Sequence, residues 1–111
     1  MDNNFKRIVD SEIAYYDPQF KNIFNEITSE YPMQGKGKIL LFFKRNNKFK
    51  YYGMFQPKDP ITGKSIGELQ DVFEKDGFHW TALDVYMFKK YNIKLTDEFV
   101  NYVLSGQGDK D

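Results

Sequence analysis

Residues 38–55, KILLFFKRNNKFKYYGMF, restrict the fold more than any other stretch of the chain. They combine the longest apolar run, Ile39 to Phe43, with a dense set of lysines and a central Asn46-Asn47 pair. Five residues fall far short of the roughly 20 needed to cross a membrane, so other parts of the chain have to cover them. As a strand, Ile39, Leu41 and Phe43 face one way and Leu40 and Phe42 the other, and both faces need partners. Asparagine tolerates the positive φ of a tight turn. Phe49 and Tyr51 then alternate with Lys48 and Lys50. The pattern predicts a β-hairpin over about 38–55, with Gly53 marking a bulge or a close approach of two backbones.

The rest of the chain supplies the cover. Its 111 residues suit one domain, here 1–106, with a polar tail at 107–111 expected to fray. Aromatic residues make up 18%, so large rings should dominate the core. Phe20, Ile23, Phe24, Ile27 and Tyr31 share one stripe, which predicts a helix over 18–30 behind an Asp17-Pro18 start. Phe5, Ile8, Val9, Ile13 and Tyr16 suggest an earlier helical segment. Pro32 and the Gly35-Lys36-Gly37 stretch end the helix over 18–30. Ser65 and Glu68 form a capping-box pattern ahead of Ile66, Leu69, Val72 and Phe73, predicting a middle helix that Gly77 stops.

Residues 80–95 fit two descriptions equally. As strands, Thr81, Leu83, Val85 and Met87 share a face, and Tyr91, Ile93 and Leu95 alternate with polar residues. As a helix, Thr81 and Asp84 make a capping box and Asn92 makes the C-terminal stop. Lys89-Lys90 is poor chemistry for a two-residue hairpin turn. Thr96-Asp97-Glu98 opens a short helix, Asp97 to Leu104, with Gly106 behind it.

Signals for chemistry are sparse. Without cysteine, disulfides and thiolate metal sites are excluded. His79 is the only histidine, and no acidic pattern has metal-ligand spacing, so neither metal nor cofactor is expected. The bland reading of His79 is a half-buried ring beside Trp80. Ser65 or Thr81 with His79 and Asp84 could be drawn as a triad, but no nucleophile elbow surrounds them. No enzyme is expected. No basic, apolar leader opens the chain, so cytoplasmic residence without membrane attachment is the expectation.

Charge is balanced in total, 16 basic against 16 acidic residues, and uneven in distribution. Residues 31–58 carry seven basic and no acidic side chains. Glu68, Asp71, Glu74 and Asp76 cluster beyond them. Lys44, Arg45, Lys48 and Lys50, interleaved with rings, raise a nucleic-acid alternative, because stacking plus phosphate neutralisation holds single strands. Against it, lysines on an edge strand also guard against aggregation, and rings serve the core.

NEI at 25–27, the lysine-led stretch after it, LQDVF at 69–73, Trp80-Thr81, and KYNIKL at 90–95 occur in an order that resembles the YezG-type immunity and antitoxin family of Gram-positive bacteria. The resemblance implies a non-catalytic protein that binds a secreted toxin, often a nuclease, and covers its active surface. It tips residues 80–95 toward a second hairpin. The expected fold is therefore α+β: an antiparallel sheet of two hairpins, with N-terminal and middle helices and a short C-terminal one. Complementary charge selects partners and speeds association. Glu68, Asp71, Glu74 and Asp76, with Asp97 and Glu98, are the expected partner-binding carboxylates. Trp80, Tyr15 and Tyr16 are the candidate anchors.

Overall fold

In the computed structural model, which describes residues 6–10, 14–28, 33–47 and 49–109, the apolar run at 39–43 lies inside a helix. This helix, α1 (Met33–Arg45), replaces the expected first arm of the central hairpin. Ile39, Phe42 and Phe43 are buried, Leu40 is half-buried and Leu41 is exposed, which is the pattern of a helix with one face in the core. A five-residue apolar run reads the same in either state, so what it packs against decides. Gly37 sits within the helix with open space around it. Lys36 ties the first half of α1 to the Asn92 side chain and the Lys89 carbonyl oxygen. Asn46 forms no turn; its backbone N–H and its side-chain amide both donate to the Phe42 carbonyl and end the helix.

The expected middle helix is also absent. Ser65 Oγ accepts from the Gly67 N–H, and Gly67 has φ of 83°, so the chain turns away at once. Residues 72–81 form a hairpin of β3 (Val72–Lys75) and β4 (Phe78–Thr81), following β1 (Lys6–Arg7) and β2 (Phe49–Tyr51). Its turn is Asp76-Gly77, with φ of 51° and 87°. Positive φ at both central residues matches the right-handed twist of the strands, and Asp-Gly is among the strongest hairpin signals. Gly77 is therefore a turn residue between strands and not a helix stop.

The sheet order is β1-β4-β3-β2. β4 pairs antiparallel with β3 and parallel with β1, and β3 pairs antiparallel with β2, so the sheet is mixed where an antiparallel one was expected. The second expected hairpin gives way to α2 (Ala82–Tyr91). The Thr81/Asp84 capping box forms in full, and Asn92 closes the helix at φ of 56°. The helical description of this stretch is the right one. After it, α3 (Asp97–Leu104) keeps its expected bounds, with Thr96 Oγ1 accepting from the Phe99 N–H. Near the N-terminus, Lys21–Glu26 is a 3-10 turn in place of a helix over 18–30, and residues 29–30 lie outside the described ones.

Rings hold the layers together. Phe42 meets Trp80, Phe99 and Tyr102, with centroids 5.5–5.8 Å apart, and Phe78 meets Phe99 at 5.2 Å. Most of these pairs are edge-to-face or tilted, the arrangements that ring quadrupoles favour. Gln107–Asp109 of the expected tail forms a 3-10 turn with Gly108 buried, and a Cβ there would stand 2.6 Å from the Phe42 ring. Residues 110–111 lie outside the described ones.

Candidate binding groove and aromatic edge

The β3–β4 hairpin makes the floor of a groove. Phe73 and Trp80 are cross-strand partners and stack with centroids 6.1 Å apart and planes 17° apart. α1 contributes Leu40, Phe43 and Lys44 to the groove, and α2 contributes Ala82, Val85 and Lys89. The i, i+3, i+7 spacing of the α2 residues puts them on one helix face. Glu68, Leu69 and Asp71 line it from the segment that enters β3. Its volume of about 760 Å³ lies within the roughly 300–1,000 Å³ of pockets that take small molecules.

Beyond that segment is an edge rich in exposed rings. In the sheet order β2 is an end strand, and the chain continues from it as Tyr51–Phe55. This strap lies flat on residues 70–71. The Gly53 N–H donates to Asp71 Oδ1 at 2.7 Å, and the Phe55 carbonyl accepts from the Gln70 N–H at 2.9 Å. A Cβ at Gly53 would stand 2.5 Å from the Gln70 carbonyl carbon, so the expected close approach at this glycine is present. The strap exposes Tyr51 (61%), Tyr52 (75%), Met54 (92%) and Phe55 (56%). Leu69, half exposed, joins the strap to the groove.

Two buried carboxylates position these surfaces. Asp59, wholly buried, accepts from the Tyr86 and Tyr91 hydroxyls at 2.6 Å each and from the Ile61 and Thr62 N–H groups. Lys90 stands 3.6 Å away. The carboxylate thus clasps the 57–65 loop to α2. Burial alone would push its pKa up; the tyrosine and backbone hydrogen bonds outweigh that and hold it at about 2. Burial and the same hydrogen bond push the Tyr91 hydroxyl up to about 12. Asp84, at the start of α2, accepts from the Thr81 N–H and the Tyr15 hydroxyl, and Arg7 approaches to 3.8 Å. Burial, then the charge of Asp84, drives the Tyr15 pKa far above its ordinary value. Each cluster ties separate elements together, Asp59 the 57–65 loop to α2 and Asp84 the start of α2 to Tyr15.

The residues singled out in the sequence are dispersed. Glu68 and Asp71 reach the groove, but Asp71 is engaged with Gly53. Glu74 is half-buried opposite His79 in the sheet, and Asp76 sits in the hairpin turn, accepting from the Tyr102 hydroxyl. Glu68, Asp71 and Glu74 do not share the face of a middle helix, because no helix forms there. Asp97 and Glu98 are exposed in the first turn of α3, where negative charge suits the helix dipole, and Glu98 pairs with Lys6 at 2.6 Å. Trp80 is 1% exposed and serves as groove floor and core, not as a surface anchor. Tyr15 is half-buried on Asp84; Tyr16 is exposed and its hydroxyl donates to the Lys58 carbonyl.

Lys44 and Arg45 end α1 as exposed residues, and no basic hairpin forms around them. Lys48 and the Lys50 side chain lie outside the described residues. His79 is half-buried in β4 as expected. Ser65 is engaged by Gln56 and Gly67 in the loop, and Asp84 by Thr81 and Tyr15. Among the described residues no group of three or more metal-ligating side chains converges. No described helix is long and apolar enough to cross a membrane.

The groove and the strap were not foreseen. Their one local trace is YYGMF, where large apolar residues crowd a glycine without a period. No protein-family model, curated protein or solved structure matches the chain.

Proposed function

We propose that the protein is a non-catalytic binding protein whose target is another protein. In line with the YezG-type resemblance, we take that target to be a toxin, a nuclease being one case, which the protein neutralises by covering its active surface. The observation that carries this reading is the strap. Four large apolar side chains within five residues stand more than half exposed, on a backbone pinned by Gly53 to Asp71 and Gln70. Exposed apolar patches beside polar groups mark interaction surfaces. Tyrosine and methionine are enriched in them, and rigid presentation lowers the entropy cost of binding.

Glu68, next to Leu69 at the groove, supplies negative charge toward a basic target. Tyr52, Met54 and Phe55 take the anchoring role first given to Trp80. Cytoplasmic residence before toxin export belongs to the same reading.

The test is co-purification with the product of the adjacent gene. The expected result is a complex at micromolar concentration or tighter, with the neighbour toxic when expressed alone. Tyr52→Ala and Phe55→Ala should each weaken the complex about tenfold or more, the scale of an aromatic anchor. A neighbour that is neither toxic nor bound overturns the reading.

A further inference from the structure

The groove over Phe73 and Trp80 has features that a protein-docking strap does not need. We infer that it is a separate binding site for a small amphiphilic carboxylate, an apolar chain bearing one anionic head. The floor and walls are apolar: Leu40, Phe43, Phe73, Trp80 and Val85 all face it. Each helical wall adds one cation, Lys44 from α1 and Lys89 from α2. Both are exposed, and neither forms an ion pair among the described residues.

The two carboxylates at the groove sit differently. Asp71 is held by the Gly53 N–H, and its carbonyl accepts from the Ala82 N–H at the start of α2. Lys89 lies seven residues further along that helix, about 10 Å away at 1.5 Å per residue. The charged groups are thus separated along α2: Asp71 at its start, three residues after Glu68, and Lys89 in its last turn. An anionic head is repelled from the carboxylate end and attracted to the helical lysines. Its chain lies on the ring floor, which removes apolar surface of both partners from water. A neutral or cationic head lacks that attraction.

Trp80 is the only tryptophan and part of the floor, so under native conditions its fluorescence responds to a ligand seated in the groove. The experiment titrates the full chain, without any partner, with decanoate, decanol and decylammonium below their micellar concentrations. Decanoate is expected to change Trp80 emission saturably and to bind more tightly than the other two. Lys44→Glu with Lys89→Glu should weaken decanoate about tenfold, the combined scale of two exposed ion pairs reversed, and leave decanol unchanged. Val85→Phe, which fills the groove, should abolish the response to all three.

Circular dichroism and a melting curve on each variant separate lost binding from lost folding. The surface lysine pair keeps the test decisive if Val85→Phe does not fold. No saturable Trp80 response to decanoate, or equal affinity for the three head groups, overturns the inference. Because no partner is present, that failure leaves the toxin-binding reading standing, and loss of partner binding leaves this one standing.

Discussion

The molecule holds its two sides by different physics. On one side, α1, α3 and the β3–β4 hairpin meet through interlocked rings, Phe42, Phe43, Phe78, Trp80, Phe99 and Tyr102, with almost no exposure. On the other, residues 52–70 carry most of their large apolar side chains outside and are held by carboxylates: Asp59 to Tyr86 and Tyr91, and Asp71 to Gly53. Ring packing is spread over many contacts and indifferent to pH. Carboxylate clasps are directional, few, and dependent on ionisation. The comparison teaches that the proposed binding surface sits on the side held by a few ionisable clasps, so loss of a clasp is expected to loosen 55–66 before the ring core.

The strongest attempt to break this contrast is Phe99→Ala. Phe99 is wholly buried and touches rings from α1, β4 and its own helix, so the substitution should cost about 3–5 kcal/mol and unfold both sides together. Chemical denaturation followed at Trp80 measures it. Asp59→Ala should cost about 3 kcal/mol, since two tyrosine hydroxyls and two backbone N–H groups lose their acceptor. Here hydrogen exchange should rise in 55–66 and not in α3. Equal loss of protection in both regions would erase the distinction.

Acid sharpens the comparison without mutation. Asp59 has a pKa of about 2 in the folded chain against an ordinary 3.8, so its contribution is complete above pH 4 and disappears as pH falls from there through 2. The difference of nearly two units corresponds to about 2 kcal/mol. A pH series of denaturation midpoints should show this loss in wild type and not in Asp59→Asn. The smallest effect belongs to the strap. Tyr52→Ala should alter stability by less than about 0.5 kcal/mol, because the side chain is three-quarters exposed. A larger loss would mean that the strap is part of the core and not a presented surface.

How much of this was legible can be judged element by element. Thr96 and the acidic pair after it marked α3 to the residue. Thr81, Asp84 and Asn92 marked both ends of α2, although family resemblance argued for strands there. Asp76-Gly77 was legible as a hairpin turn and was overshadowed by the stripe Ile66, Leu69, Val72 and Phe73, which fits a helix the chain never forms. At α1 the sequence misled, since Ile39 to Phe43 carries no period and suggests a strand where the chain forms a helix. As for the site, Glu68 and Asp71 were in the expected set and do reach the groove, whereas the strap and the Asp59 clasp left no pattern of spacing.

Caps and turns act through hydrogen bonds and φ angles within three or four residues, so the amino-acid order can signal them, as at Thr81, Asn92 and Thr96, although the Ser65/Glu68 pattern formed no helix. Apolar burial has no direction. Whether Leu40, Phe42 and Phe43 line a helix or a strand is decided by the rings of Trp80, Phe88 and Phe99, brought to them from 37 or more positions away. Asp59 lacks a sequence signal for the same reason: Tyr86 and Tyr91, 27 and 32 positions away, become its partners only after α2 has folded against the loop.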